Sequence, residues 1–105
     1  MLSISLPVLA VEVKLRCSGI NNRGDSEVVR FRFDEAARTV DGYGEVDCGN
    51  SAGCYSARIS DETIILYLYG NGKVVAKSEL DRMTGEFIFM FSNSRGKCVP
   101  FKQAF

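Results

Sequence analysis

The chain has 105 residues, of which 46% are hydrophobic, and its 13 Lys and Arg residues are balanced by 13 Asp and Glu residues. This length supports one domain with one core, and the hydrophobic content excludes an intrinsically disordered chain. A net charge of zero argues against a dedicated nucleic-acid-binding protein, because such proteins usually carry a basic excess. The composition therefore indicates a single globular domain, but it does not indicate an activity.

Four cysteines and no histidine are the most informative part of the composition. Zinc sites usually use CxxC pairs or added histidines, and neither is present, so we expect two disulfides formed in an oxidising compartment. Three pairings are possible on paper. We expect Cys48 and Cys54 to staple one short loop of mostly small residues, which leaves Cys17 to pair with Cys98 and tie the first strand to the last.

The first ten residues, MLSISLPVLA, are apolar and uncharged. They have two interpretations: a remnant of a signal peptide with Val8 and Ala10 at the cleavage-site positions, or an ordinary first strand. The segment is too short to span a membrane, so we expect no transmembrane segment. The cysteines, and not this segment, predict a periplasmic or secreted protein, and residues 11–105 are expected to form a single β-domain.

Short segments with alternating apolar residues follow one another, with turn signals every eight to twelve residues and no convincing helix. This pattern predicts an all-β domain, an antiparallel meander of about eight strands in a small barrel or sandwich. Phenylalanines at alternate positions are expected in its core. The predicted strands are Val11–Cys17, Glu27–Phe33, Thr39–Tyr43, Tyr55–Ile59, three strands within Thr63–Phe91, and Lys97–Phe105, and the predicted core phenylalanines are Phe31, Phe33, Phe87, Phe89 and Phe91.

The stretch Thr63–Phe91 has the clearest pattern in the chain. Its first strand alternates apolar residues on both faces, and Gly70–Gly72 then supplies residues that tolerate the positive φ of a tight hairpin turn. A second turn, Asp81–Gly85, leads into the third strand of the stretch. We expect this stretch to be scaffold, with turns that set the register.

Residues with catalytic chemistry are sparse. The lack of histidine removes the usual general base, and the cysteine spacing matches no dithiol motif. Asp41, Glu45 and Asp47 could supply a carboxylate pair or a calcium site, but solvated acids beside a loop are the better interpretation. We therefore predict no enzyme activity and assign no catalytic residue, metal or cofactor.

Two surfaces have alternative interpretations. If the first two strands pair, Lys14, Arg16, Arg30 and Arg32 share one face with Glu12. This face is either a docking surface for an acidic partner or, as the better interpretation, an ordinary charged, solvated face. On the first strand of the Thr63–Phe91 stretch, two tyrosines share a face. They could line the mouth of a barrel that binds a small ligand, or cover a second core layer; they are Tyr67 and Tyr69.

The loop between the second and third cysteines, Asp47–Tyr55 (DCGNSAGCY), is the best candidate for function. A pinned loop loses little entropy on binding, which suits insertion into the cleft of another protein. The segment Ser51–Tyr55 resembles the SGxxY loop of the periplasmic and membrane-bound inhibitors of C-type lysozyme, with Ala52 in place of the motif glycine. Those inhibitors are small exported β-barrels whose loop serine and a later lysine enter the active cleft of the enzyme. The resemblance implies that Ser51, Tyr55 and Lys73 bind a partner.

A second resemblance covers more of the chain. Cys17-Ser18-Gly19, Phe33-Asp34 followed by Thr39-Val40, and the DRMTG turn Asp81–Gly85 are similar to elements of small exported proteobacterial proteins. Those proteins also carry a cysteine near the C-terminus. The resemblance implies a disulfide-bonded β-family without an assigned activity.

Three functions remain open at this point. The first is an exported protein-binding module, an inhibitor or immunity-type protein that acts through the Cys48–Cys54 loop. The second is a small-ligand-binding barrel, and the third, the weakest, is a carboxylate-based hydrolase. We expect a protein partner and no nucleic acid, and the sequence does not indicate an oligomeric state.

Overall fold

The structure, a computed structural model, describes residues 12–100. Eight antiparallel strands form one sheet, which confirms the predicted all-β class and strand number. No helix within residues 12–100 is long and apolar enough to cross a membrane. The segment 1–10, with its two interpretations, lies outside the described residues. The strands are β1 Glu12–Ile20, β2 Ser26–Asp34, β3 Thr39–Val40, β4 Cys54–Ile59, β5 Thr63–Gly70, β6 Lys73–Asp81, β7 Glu86–Ile88 and β8 Arg95–Pro100.

The sheet is a meander that joins its own ends into a nearly closed barrel. The strand order is β3-β2-β1-β8-β7-β6-β5-β4, so the first strand pairs with the last and the gap falls between β3 and β4. Three hydrogen bonds bridge that gap. The amide of Ala57 donates to the carbonyl of Gly44 over 3.0 Å, and the Ser56 hydroxyl bonds both the amide and the carbonyl of Val46, each at 3.0 Å.

Inward-facing residues of most strands meet in one core. Phe31 on β2 makes edge-to-face contacts with Phe87 and Phe89, with ring centroids 6.2 Å and 6.0 Å apart. Such pairs stabilise beyond their area burial. The buried cluster comprises Leu15, Cys17, Phe31, Phe33, Val40, Ala57, Ile59, Ile64, Leu66, Leu80 and Phe87.

The prediction that Phe91 belongs to the core is wrong. Its side chain is 65% exposed. β7 ends at Ile88, and the turn that follows takes the chain out of the alternating pattern before Phe91 is reached. The exposed ring instead packs edge-to-face on Phe89, with centroids 5.3 Å apart.

Two strand ends also differ from the sequence prediction. β1 continues to Ile20, through residues predicted as loop, because it is paired with β2 on one side and β8 on the other. β3 stops at Val40 because Asp41 and Gly42 both have positive φ, 50° and 84°, which turns the chain. In β1, pairing with both neighbouring strands overrides the low strand propensity of the polar residues. In β3, the turn geometry ends the strand earlier than the sequence pattern predicted.

The backbones of β1 and β8 approach each other closely where the two strands pair. Cys17 lies directly opposite Cys98, and the two form a disulfide with Cys17 fully buried. Two residues along, Gly19 lies opposite Gly96, and a Cβ atom on Gly96 would lie only 1.9 Å from the carbonyl oxygen of Ser18. Both predicted disulfides are present, and the second joins the remaining two cysteines.

Arg82 holds together one end of the barrel. Its guanidinium donates to Glu35 Oε1 over 3.0 Å and to the carbonyl of Ser60 over 2.8 Å, and it lies 5.5 Å from the centroid of the Phe33 ring. The Arg82 side chain thereby joins three loops of the barrel, β2–β3, β4–β5 and β6–β7. Arg82 therefore links the loops on the two sides of the gap between β3 and β4 at this end of the barrel.

Glu27 holds together the other end. Its carboxylate accepts hydrogen bonds from the hydroxyls of Ser92 and Ser94, and Ser94 is fully buried. Hydrogen bonds from these two hydroxyls hold the pKa of Glu27 below its ordinary value, and the bond from Ser92 has the larger effect. The amide of Asn22 donates to the Ser92 carbonyl over 3.2 Å, so the β7–β8 loop is joined both to β2, at Glu27, and to the β1–β2 loop, at Asn22.

We predict that Gly96→Ala destabilises the protein by about 3 kcal/mol or more, because the added Cβ must push β1 and β8 apart. Gly44→Ala is the matched control, since nothing lies within 4 Å of a Cβ at Gly44. Urea unfolding followed by circular dichroism measures both. Equal stabilities for the two variants would show that the close approach of the strands is absent.

We predict that Glu27 makes the folded state more sensitive to acid. Because its pKa is lowered on folding, its contribution is present above the ordinary carboxyl range and is lost as pH falls through the folded pKa. Urea midpoints measured from pH 7 to pH 3 should fall less steeply in Glu27→Gln than in the parent. Glu62→Gln, at an exposed turn, is the control, and an unchanged slope in Glu27→Gln would refute the assignment.

Candidate functional site

The loop between Cys48 and Cys54 has a conformation held by its own bonds. The disulfide places the two Cα atoms 5.7 Å apart. Within the loop, the Gly49 amide donates to Asp47 Oδ1 and the Ser51 amide donates to the Cys48 carbonyl, both over 3.0 Å. The loop is therefore ordered before any partner arrives, which lowers the entropy cost of binding.

The stapled loop packs against the turn between β5 and β6. That turn, Asn71-Gly72, has φ values of 53° and 81°, as a two-residue type I′ hairpin turn requires. A Cβ atom on Gly72 would lie 2.9 Å from Asn50 Oδ1 and 3.6 Å from the Gly49 carbonyl oxygen, so the loop lies in contact with the turn. The positive φ of Gly72 is what favours glycine at this position. The Gly53 amide also donates to the Tyr69 carbonyl over 2.9 Å. We call residues 48–54 together with 71–73 the loop tip.

Two of the three predicted partner-binding residues lie at the loop tip. Ser51 is exposed on the stapled loop, and Lys73 is exposed directly after the turn against which that loop packs. Asn50, Ala52 and Asn71 are exposed around them. The tip therefore presents small side chains, amides, one hydroxyl and one ammonium group to solvent.

Tyr55, the third predicted residue, has a different position. Its side chain is half-buried, packs against the core, and lies opposite Leu68 on β5. Its ring stacks on Tyr43 with centroids 4.7 Å apart, and Tyr43 is the more exposed of the two. Tyr55 therefore supports the base of the stapled loop on the barrel.

The packed core offers little space for a ligand, whereas an open depression of about 220 Å³ at the Arg82 end of the barrel is lined by core residues such as Leu15 and Leu80. A cavity of about 10 Å³ lies among core residues that include Phe31, Phe33 and Leu66, and such a volume holds about one water molecule. Tyr67 and Tyr69 lie on the face of β5 opposite to the core residues, with ring centroids 6.1 Å apart. They do not line this cavity.

The three acids named from the sequence form no group that could hold a metal ion, and two of them accept backbone hydrogen bonds. Asp41 accepts a hydrogen bond from the Arg32 amide over 3.0 Å, and burial raises the pKa of its carboxyl. Asp47 is used within its own loop by the Gly49 amide. Across residues 12–100, no three acid, cysteine or histidine side chains form a group that could hold a metal ion.

Comparison of the chain with family models, with curated proteins and with solved structures gave no match. No relative therefore indicates a function for this chain. The geometry of the loop tip is the strongest functional observation that the chain offers.

Sequence reasoning missed Asn50 and the Asn71-Gly72 turn as parts of this site. The stapled loop and the β5–β6 turn are about twenty residues apart in the chain, so their contact depends on the pairing of β4 with β5. A usable signal was present: Asn71-Gly72 favours a type I′ turn, and that turn places Lys73 at the end of its hairpin.

We predict that Cys48→Ala/Cys54→Ala lowers the free energy of unfolding by about 2 kcal/mol and frees the loop tip, with the barrel intact. Cys17→Ala/Cys98→Ala, which opens a link of sequence separation 81, should lower it by about 4–5 kcal/mol. Urea unfolding and amide hydrogen exchange measure both effects. Loss of exchange protection throughout the barrel in the first variant would contradict a local role for this disulfide.

Proposed function

We propose that the protein is an exported protein-binding module that inserts its loop tip into a concave surface of a partner. The observation that carries the proposal is the pre-ordered, exposed loop between Cys48 and Cys54, packed on a hairpin turn that ends in Lys73. Ordered protrusions with small side chains allow the partner close access to the backbone and lose little entropy on binding.

The chemistry of the loop tip favours an acidic cleft. Lys73 offers an ammonium group and Ser51 offers a hydroxyl that can donate or accept. A cleft with carboxylates, such as the active site of a glycoside hydrolase, provides acceptors for both. The resemblance of Ser51–Tyr55 to the loop of lysozyme inhibitors supports an inhibitory mode of this kind.

Two observations favour this function over the alternatives. The tyrosines expected at a ligand-binding mouth, Tyr67 and Tyr69, line neither the core cavity nor the depression at the Arg82 end, which disfavours the predicted carrier site. The engagement of Asp41 and Asp47 by backbone amides disfavours a carboxylate hydrolase. Two disulfides in a chain of this size support export to the periplasm or beyond the cell, where disulfides form and persist.

The proposal is tested with a C-type lysozyme as the probe. We predict a stoichiometric complex by calorimetry and loss of lytic activity on binding. Ser51→Ala/Lys73→Ala should weaken the complex by about tenfold or more, since contacts central to an interface cost at least about 1.4 kcal/mol when truncated.

The matched control is Ser26→Ala/Lys77→Ala, which removes the same two side-chain types from exposed strand positions outside the loop tip. Unchanged affinity in the control and reduced affinity in the Ser51/Lys73 variant would support the site. Absence of any complex with the lysozyme would reject the inhibitor assignment, and equal affinities for the two variants would reject the loop tip as the contact surface.

A further inference from the structure

Two consecutive valines on β6, Val74 and Val75, are exposed directly beside the loop tip. Their side chains are 46% and 63% exposed, and they follow Lys73 of the tip in the chain. A regular strand would point one of two consecutive side chains toward the core, because successive side chains alternate between the faces of the sheet. Both valines face solvent instead, so β6 departs from regular geometry at this position.

A β-bulge causes this departure. On β5, Tyr69 lies opposite Val74. Its neighbour Leu68 lies opposite Ala76, which leaves Val75 as an extra residue in β6. A bulge re-aims side chains at the expense of a regular ladder, and bulges are frequent at the rims of barrels and next to functional sites. Here the bulge presents two apolar side chains where a regular strand would present one.

Two tyrosines extend this apolar surface along β5. Tyr69 lies opposite Val74 and shares its face of the sheet, and Tyr67 lies two residues away on the same face. Both side chains are half-buried, and their ring centroids are 6.1 Å apart. Tyrosine combines a large apolar area with a polar hydroxyl and is enriched at protein interfaces. We call Tyr67, Tyr69, Val74 and Val75 the outer patch.

The outer patch is continuous with the loop tip. Cys54, at the end of the stapled loop, lies opposite Tyr69, whose carbonyl accepts the hydrogen bond from the Gly53 amide. A Cβ atom on Gly70 would lie 3.2 Å from Val75 Cγ1, so the Val75 side chain lies beside the start of the β5–β6 turn. A partner that encloses the loop tip therefore also reaches the outer patch.

Lysines border the outer patch at both ends. Lys73 precedes Val74, and the exposed Lys77 lies opposite Tyr67. The next acid on this face, Glu79, lies farther along β6, opposite Ile65. Acidic side chains around an apolar wall of a partner would complement this border.

We propose that the outer patch is the apolar centre of the partner-binding surface, covered by an apolar wall beside the acidic cleft of the partner. This inference rests on the proposed function and states what the partner must offer next to that cleft. Exposed polar contacts such as those of Ser51 and Lys73 orient a complex, whereas side chains that become fully desolvated at the centre of an interface supply most of its affinity. The tyrosines and the two valines are the side chains beside the loop tip that can do so.

The test compares two double variants by calorimetry with a C-type lysozyme as the probe. Val74→Thr/Val75→Thr makes the patch more polar and keeps both side chains β-branched, so the strand propensity is retained. Val28→Thr/Val99→Thr is the matched control, because these valines are 47% and 57% exposed on other strands. Both variants should unfold at the temperature of the parent. The patch variant should weaken the complex about tenfold, and the control should bind as the parent does.

The heat-capacity change on binding separates direct burial of the patch from an indirect effect on the loop tip. Burial of apolar surface makes this change negative. In titrations at several temperatures, Val74→Thr/Val75→Thr should therefore show a less negative value than the parent. Ser51→Ala/Lys73→Ala should weaken the complex and keep a value near that of the parent, because it removes polar contacts.

The outcomes distinguish this inference from the proposed function. Equal affinities for the patch variant and its control, in a complex that Ser51→Ala/Lys73→Ala still weakens, would overturn the outer patch and leave the proposed function in place. Absence of a complex with the parent protein would reject both. A dimer of the parent in light scattering that Val74→Thr/Val75→Thr dissociates would assign the patch to self-association and overturn the inference.

Discussion

The pairing of β1 with β8 is the constraint on which the rest of the structure depends. Without it, the chain would form a three-stranded sheet, β3-β2-β1, and a separate five-stranded sheet. The buried Cys17–Cys98 disulfide and the close approach at Gly19 and Gly96 hold the two parts in one register. That register brings Phe31 of the first part against Phe87 of the second, so the core depends on the same pairing. A covalent link of sequence separation 81 is well suited to this role, because it removes much of the entropy of the unfolded chain.

Strand pairing also places the candidate binding surface. β1 is flanked by β2, which follows it in the chain, and by β8, which is distant in sequence. The loop tip is formed at another wall by the pairing of β4 with β5 and by the short turn into β6. The loop tip is pre-ordered and offers small polar groups to a partner.

Much of the fold could be predicted from alternation and turn residues. The period of two in β1 and β2 indicated strands with one buried face, and the cysteine count with its spacing indicated both disulfides. The extension of β1 to Ile20 could not be predicted, because a polar segment becomes a strand only when neighbours on both sides supply hydrogen bonds. The exposure of Phe91 was missed because the alternation of three phenylalanines continues past the residue at which β7 ends. At the site, Ser51 and Lys73 were named from a local resemblance, but the contact between Asn50 and Gly72 depends on strand pairing and is not visible in sequence spacing.

The most direct test of this account is disulfide mapping of the native protein by proteolysis without reductant, followed by mass spectrometry. The account predicts one peptide pair that links Cys17 to Cys98, a second link between Cys48 and Cys54, and no thiol open to alkylation. A link between Cys17 and either Cys48 or Cys54, or alkylation of Cys17 or Cys98 in the folded protein, would contradict the pairing of the first strand with the last.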